Sequence, residues 1–357
     1  MDYKRKIIQF VERGKAELRE ADFKVDTLGR DTVLLKTIYT LISPGTEFDC
    51  LNGNNNRGPI VYPIALGYSA VATVLDVGSE VTHVKKGDRC LCYHSCHSNY
   101  QLLPAHKVVK IESDTLPSEE ALFCVIGCMG FQGVRRCRPE FGESLMVMGL
   151  GLLGQFAVQT ARLSGCYPVI ALDFEEKRRN LALESGADAA FSPDDPQLKE
   201  KILALTDGRG VDCTVEVTGN PQAVIQGLDL TAYYGRCALV GCSRTPTEKI
   251  DFYNLVHLKG ISVIGANNTA RPLHDKRPGL WTMCEDMRLL LRYMAAGRLD
   301  SKRLLTMIAQ PEEGPGIYDR LFARDRELLG VVFDWTGINF EQKTGQTASR
   351  TCETVQW

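Results

Sequence analysis

The stretch VMGLGLLGQFAVQTAR, residues 147–162, constrains this chain more than any other. Gly149, Gly151 and Gly154 form G-x-G-x-x-G between the apolar run SLMVMGL and an amphipathic segment that opens at Leu152. Each glycine has a reason to be there: the first permits a tight turn, the second lets the backbone approach a pyrophosphate, and the third lets helix and strand pack closely. The spacing predicts a helix whose N-terminus, at Gly151, Leu152, Leu153 and Gly154, offers free N–H groups and a positive dipole end to a phosphate. The next apolar run, VIALD, ends in Asp173, nineteen residues after Gly154. An acid there accepts hydrogen bonds from a ribose diol and repels a 2′-phosphate. Lys177, Arg178 and Arg179 follow closely and suit a phosphate, but the Asp173 carboxylate favours NAD over NADP.

The surrounding pattern agrees with a nucleotide domain. After PSEEALFCVIGCMGFQGVRR, which reads as a helix with Ser118 as N-cap, strands and helices alternate. SLMVMGL, YPVIALD, AAF, VDCTVEVTG, RCALVGC and ISVIGA read as strands, with helices from Leu152, through EEKRRNLALESG, near 196–205 and near 221–230. Such alternation predicts a parallel sheet with helices on both faces. The first third is different: TVLLKTIYTLIS and SAVATVLDVG read as strands, and GDRCLCY and SNYQLLP as a hairpin joined by a short turn. Beyond Pro272 come two helical stretches and then LLGVVFDW, a strand expected to rejoin the N-terminal β-rich domain.

A net charge of −2 with no basic block gives nucleic acid nothing to bind. No window approaches the run of about 18 apolar residues needed to span a bilayer, and the N-terminus lacks the apolar core of a signal peptide. A cytoplasmic protein is the expectation. The thirteen cysteines lie inside apolar segments and read as small buried hydrophobes in a reducing compartment. CLCYHSCH, residues 90–97, gathers soft ligands, but Cys90 and Cys92 stand at i,i+2, whereas zinc knuckles place roughly two to four residues between cysteines.

With GVDCTVEVTGN (210–220) and GRCALVG (235–241) following the glycine motif, the chain resembles the medium-chain dehydrogenase/reductase superfamily of zinc alcohol and polyol dehydrogenases and zinc-free quinone reductases. SPGTE followed by GYSAVATV resembles, more narrowly, a branch grouped with bacteriochlorophyllide-type dehydrogenases, which points to a subfamily and not to a pigment substrate. The resemblance implies an α/β fold: a Rossmann doubly wound parallel sheet inserted in a β-rich GroES-like catalytic domain. The expected boundaries are 1–128 for the catalytic domain, 129–299 for the NAD-binding domain, 300–336 for the return and 337–357 for a polar tail. Thr218, Gly219, Gly241 and Gly265 join the cofactor-binding set by the same resemblance.

The zinc positions are where the chain departs from its relatives. The resemblance places the first ligand at Pro44, the second at Tyr68 in Gly67-Tyr68-Ser69, and the third at Cys128. Proline has no donor atom, and a neutral phenol is a weak zinc ligand. The four-cysteine structural lobe is missing too, and the expectation is no metal. Without zinc, side chains must handle the hydroxyl proton while NAD accepts the hydride. Thr46, Glu47 and Tyr68 are the candidates: Thr46 occupies the relay position, Glu47 serves as base if it faces the cleft, and Tyr68 brings a phenol near the reacting carbon. His97, Cys128, Asn267, Asn268, Arg271 and His274 are expected along the substrate pocket.

The function these residues suggest is an NAD-dependent, zinc-independent oxidoreductase interconverting a secondary alcohol and a ketone, on a sugar, polyol or cyclitol-like substrate. The alternatives are a zinc-free quinone or enone reductase, a zinc enzyme using Cys128 with Glu47 or Cys50, and a non-catalytic NAD(H)-binding regulator. A homodimer or homotetramer is expected by analogy, through the strand ISVIGA.

Overall fold

The computed structural model describes residues 2–54, 59–243 and 249–338. The chain divides into two compact units, residues 1–125 with 287–357 and residues 126–286. The second unit is thus an insertion in the first, but residues 287–299, expected in the nucleotide domain, group with the first unit instead. The polar tail expected at 337–357 lies outside the described residues apart from Gly337 and Ile338.

The N-terminal part of the first unit runs β1 (Asp2–Glu12), β2 (Lys15–Lys24), β3 (Thr32–Leu41), α1 (Pro44–Leu51), β4 (Ile64–Ala65) and β5 (Ser69–Val77). It continues with β6 (Arg89–Tyr93), β7 (Tyr100–Pro104), β8 (Val108–Lys110) and the one-turn helix α2 (Ser118–Ala121). Two expectations change here. GDRCLCY and SNYQLLP do not form a hairpin: β6 pairs with β5 and β8, while β7 pairs with β3. The proline of SPGTE opens α1, since its fixed φ and missing N–H suit the first helical position. Ser118 is the first residue of α2 and not its cap, and its hydroxyl accepts from Arg89 Nη1 at 2.9 Å.

The inserted part follows as α3 (Cys124–Cys137), β9 (Leu145–Met148), α4 (Leu152–Leu163), β10 (Val169–Leu172), α5 (Glu176–Glu184) and β11 (Ala189–Phe191). Then come α6 (Leu198–Leu205), β12 (Val211–Glu216), α7 (Pro221–Leu230), β13 (Thr231–Leu239) and β14 (Ser262–Gly265). Among the described residues these strands make a six-stranded sheet in the order β11-β10-β9-β12-β13-β14, every pair parallel. Counted from β9 this is 3-2-1-4-5-6, the doubly wound order, whose direction reverses between β9 and β12. The central strands show why: LMVM and VIAL are buried at every position, as strands covered on both faces must be.

The chain ends with α8 (Met283–Ala295), β15 (Leu305–Ala309), α9 (Gly314–Phe322) and β16 (Gly330–Asp334). As expected of LLGVVFDW, β16 returns to the first unit, pairing antiparallel with β3 and parallel with β15. Its Phe333 and the following Trp335 are fully buried in a cluster with Phe10, Cys50, Leu51 and Tyr318. Cys90 and Cys92 point into another core of this unit, beside Val33, Leu35 and Ala72, and burial pushes the Cys90 thiol up to about 12. Nine of the twelve cysteines among the described residues are buried, Cys90 and Cys92 of CLCYHSCH among them. No helix among the described residues is long and apolar enough to cross a membrane.

Candidate active site

In the second unit, the turn between β9 and α4 gives each glycine of the motif a measurable role. Gly149 has φ +92°, and a Cβ there would stand 2.6 Å from Thr218 Cγ2. A Cβ on Gly154 would stand 1.8 Å from Gly149 O, so helix and turn close only on glycine. Gly151 differs: a Cβ there would meet nothing within 4 Å. Space is therefore left at the one glycine expected to admit a ligand's phosphates. Gly151 is also the N-cap of α4 and supplies no side-chain cap, which leaves first-turn N–H groups for an anion. Leu152 is buried and Leu153 packs on the core, so these two offer backbone, not side chains.

Asp173 stands at the end of β10, where the sequence placed it. Its carboxylate accepts from Leu150 N at 2.7 Å and Glu175 N at 2.8 Å, with Arg178 Nη1 at 3.9 Å. Each oxygen keeps a second acceptor site for a ribose diol. Lys177 is exposed, and Arg179 is committed to the carbonyls of Asp173 and Phe174, both at 2.8 Å. On the far side of the sheet's reversal, buried Glu216 accepts from Thr218 N at 2.7 Å, from the Thr218 hydroxyl, and from Gly219 N at 3.1 Å. Burial raises the Glu216 carboxyl above its ordinary value. Gly219 and Gly241 meet back to back, a Cβ on Gly241 falling 2.1 Å from Gly219 N, whereas Gly265 lies exposed at the end of β14. The open glycine, the uncapped helix and the acid fit a dinucleotide.

The residues expected along the pocket in this unit differ in their surroundings. Cys128 is fully buried on α3, and its carbonyl accepts from Arg271 Nη2 at 2.6 Å. Arg271 also reaches the Asp286 carboxylate and donates to Asn268 Oδ1 at 2.9 Å. Asn267 Oδ1 is taken by Thr269 N at 3.0 Å and its hydroxyl at 2.8 Å, so both amide oxygens serve their own turn. His274 is exposed.

The first unit holds a cluster of buried and half-buried acid–base groups. Ser43 precedes α1, and its hydroxyl is hydrogen-bonded to the phenol of Tyr68, a half-buried residue just before β5. Thr46 lies half-buried within α1. Glu47 does not face a cleft. It is 1% exposed and accepts from Ser43 N at 2.8 Å, Tyr318 Oη at 2.5 Å and His97 Nε2 at 3.2 Å. The reason is local: Glu47 sits one turn into α1, from where its side chain reaches back to the N–H of the residue before the helix. His97, expected in the pocket wall, is likewise 1% exposed. Its backbone donates to Leu66 O at 3.0 Å, and its ring stands edge-on to Phe333. A Cβ on Gly67 would stand 2.8 Å from the ring, so the glycine of GYS is required by His97.

Hydrogen-bond bookkeeping assigns the protons. Trp335 Nε1 donates to Thr40 Oγ1 at 2.9 Å, and the Thr40 hydroxyl meets His97 Nδ1 at 2.8 Å. With a proton on Nε2, His97 donates to Glu47. Burial and the adjacent Glu47 carboxylate push the Tyr318 phenol well above its usual range, keeping it a donor. Ser43 opens the SPGTE motif but has no role among the sequence expectations, and neither do Tyr318, Thr40 and Trp335.

A zinc ion does not fit this donor set. Pro44 has no ligand atom, the Tyr68 phenol is paired with Ser43, Glu47 is occupied by three donors, Cys50 is buried in an apolar cluster and Cys128 is fully buried. Among the described residues no group of three or more His, Cys, Asp or Glu side chains is placed to hold a metal.

A parallel 3-2-1-4-5-6 sheet carrying a glycine-rich turn, inserted in a β-rich unit with buried acid–base groups, defines a dehydrogenase-type oxidoreductase. The zinc-binding dehydrogenase family matches residues 153–284. L-threonine 3-dehydrogenase of Pyrococcus furiosus is 30% identical over 280 residues, covering 70% of this chain and 79% of its own length. An alcohol dehydrogenase of Cupriavidus necator is 25% identical over 367 residues, covering 89% of this chain and 95% of its own. Galactitol-1-phosphate dehydrogenase of Escherichia coli shares the fold, with TM-score 0.79 at 19% identity over 92% of this chain and 99% of that one. The chain belongs to the medium-chain dehydrogenase/reductase family, alcohol dehydrogenase-like, whose other members include zinc-binding enzymes.

Proposed function

We propose that this chain is an NAD-dependent oxidoreductase that interconverts a secondary alcohol and a ketone without zinc, on a sugar, polyol or cyclitol-like substrate. The observation that carries this reading is the Ser43–Tyr68 hydroxyl pair, standing where the family resemblance places a metal ligand. The narrower likeness of SPGTE and GYSAVATV to the bacteriochlorophyllide-type branch supports the same departure from zinc. The Asp173 carboxylate at the end of β10 supports NAD over NADP, and a relative named for L-threonine, whose hydroxyl is a secondary alcohol, supports a secondary-alcohol substrate. Nine buried cysteines among the described residues suit a reducing compartment such as the cytoplasm.

Bound NAD⁺ supplies the hydride acceptor. In the oxidative direction Tyr68 takes the proton of the substrate hydroxyl, and in the reductive direction it returns that proton to the carbonyl oxygen. The half-buried Thr46, one turn after Ser43, is a second hydroxyl available to orient the substrate. The test follows NADH absorbance with NAD⁺ and a panel of sugars, polyols, cyclitols and simple secondary alcohols, with and without a strong zinc chelator. Turnover is expected to survive chelation. Turnover lost to the chelator and restored by zinc would overturn the metal-free reading.

The same proposal takes the protein as a homodimer. β14 is the edge of its sheet, with Val263 40% exposed, and Tyr253 and Leu258 are exposed on the segment leading into it. An apolar edge strand left bare in water invites pairing. Light scattering on the purified protein should give twice the chain mass, and Val263→Lys should give the monomer.

A further inference from the structure

We infer that Ser43 is a positioning residue for Tyr68, and that the buried Glu47 carboxylate, gripped by Tyr318 and His97, fixes where Ser43 stands. This rests on Tyr68 as the proton-transferring group. The first indication is a broken local rule. A serine at the N-cap ordinarily accepts a hydrogen bond from the second or third N–H of its helix. Ser43 has the extended N-cap backbone, φ −101° and ψ 93°, yet its side chain makes no capping bond. Its hydroxyl is given to the Tyr68 phenol instead. Such a lapse from local consistency is expected where a residue serves a site.

The second indication is what holds the serine. Its backbone N–H donates to Glu47 Oε1 at 2.8 Å, and Glu47 Oε2 receives Tyr318 Oη at 2.5 Å. His97 Nε2 spans both oxygens, at 3.3 and 3.2 Å. Glu47 and Tyr318 are 271 residues apart in sequence, so the C-terminal return of the chain is what pins the N-terminus of α1. A carboxylate with three donors around it is immobile, and the serine attached to it inherits that rigidity.

The proton account balances without any change in Ser43. The substrate hydroxyl proton passes to the Tyr68 phenolate oxygen while the carbinol carbon gives up its hydride, and Ser43 keeps its own proton. While Tyr68 is a phenolate, Ser43 Oγ–H donates to it. When Tyr68 is protonated, the serine oxygen can accept in return. The ionisable residues bonded to this pair or its adjoining backbone include Glu47, His97 and Tyr318 through Glu47, and His94, whose backbone N–H donates to Tyr68 O at 3.0 Å.

The test needs no substrate. Protein labelled with ¹³Cζ-tyrosine is titrated by NMR, and the Tyr68 signal is assigned by its loss in Tyr68→Phe. Ser43→Ala should raise the ionisation midpoint of Tyr68 by about one to two pH units, the range expected on losing a hydrogen bond to a charged group. Ser43→Thr, which keeps the hydroxyl, should stay within about 0.3 unit of wild type, on the same scale. If Ser43→Ala does not fold, Ser43→Gly serves, because glycine is tolerated at an N-cap. A midpoint unmoved by loss of the hydroxyl overturns the inference, and so does a Tyr68 that fails to titrate in the wild type before the protein unfolds. The parent reading fails separately: Tyr68→Phe retaining wild-type turnover of an alcohol the wild type oxidises would remove Tyr68 from the chemistry while leaving the measured Ser43 coupling intact.

Discussion

The glycine turn of the second unit and the buried cluster of the first are built on opposite principles. In the second unit the glycine turn is a backbone device: Gly149, Gly151 and Gly154 lie within six residues, and their roles follow from where a Cβ would collide and where it would not. In the first unit the acid–base cluster is a side-chain device, joining Ser43, Glu47, Tyr68, His97 and Tyr318 from separate elements. A backbone device is specified locally and withstands loss of distant contacts. A side-chain device is specified only once the whole unit has folded, and each member is left with an unmatched partner when another is removed.

The largest effect should come from setting the two outer requirements of the glycine turn against the middle one. Gly154→Val places atoms into Gly149 O and should cost about 5 kcal/mol, at the far end of single substitutions. Gly151→Ala should leave stability within about 0.5 kcal/mol, since its Cβ meets no protein atom, yet weaken NADH roughly tenfold by filling ligand space. Denaturant unfolding and NADH fluorescence titration on the two variants separate the effects. Equal stability losses would break the division between a packing glycine and a ligand glycine.

That division also explains how much the sequence alone reveals. The strands and helices of the inserted unit are legible because alternating apolar runs and Gly, Pro and Asn punctuation are local signals. Asn220 before Pro221 is one such signal, and its side chain does accept from Gln222 N at 2.8 Å to cap α7. The supposed hairpin of GDRCLCY and SNYQLLP fails because pairing partners are chosen across the sheet, where β3 had a free side for β7. Glu47 and His97 are conspicuous as chemistry-bearing residues, but nothing near them in sequence says that Tyr318 and Thr40 will bury them. The missing zinc donors are legible residue by residue. The serine partner of Tyr68 is not, because a serine before a proline reads as an ordinary helix start.

The next largest effect tests the side-chain half. Tyr68→Phe should lower kcat by about a thousandfold, near 4 kcal/mol of barrier, with NADH affinity unchanged. Loss of NADH binding together with turnover would mean that the substitution disturbs more than proton transfer. A smaller effect is expected from Tyr318→Phe. It leaves one oxygen of the buried Glu47 carboxylate short of a donor, which should cost about 1–3 kcal/mol of stability. NADH titration below the transition should be unaffected. An unchanged unfolding midpoint would show that the cluster is looser than its short bonds indicate.

The smallest effect is the most diagnostic of how the backbone device handles a charge. Asp173 is the expected discriminator between NADH and NADPH, but it also holds Leu150 N and Glu175 N with its two oxygens. Asp173→Asn keeps one acceptor and turns an amide NH₂ toward the other N–H. It should therefore loosen the turn as well as lose the ribose diol, weakening NADH about tenfold, roughly 1.4 kcal/mol. Removing the negative charge should favour NADPH, with Arg178 nearby at 3.9 Å, so the NADH/NADPH affinity ratio should fall by more than the NADH loss alone. Parallel titrations with both cofactors measure this. If NADPH weakens in step with NADH, Asp173 acts by shaping the turn and not by repelling a phosphate. The charge discrimination would then reside elsewhere, with exposed Lys177 the next position to exchange.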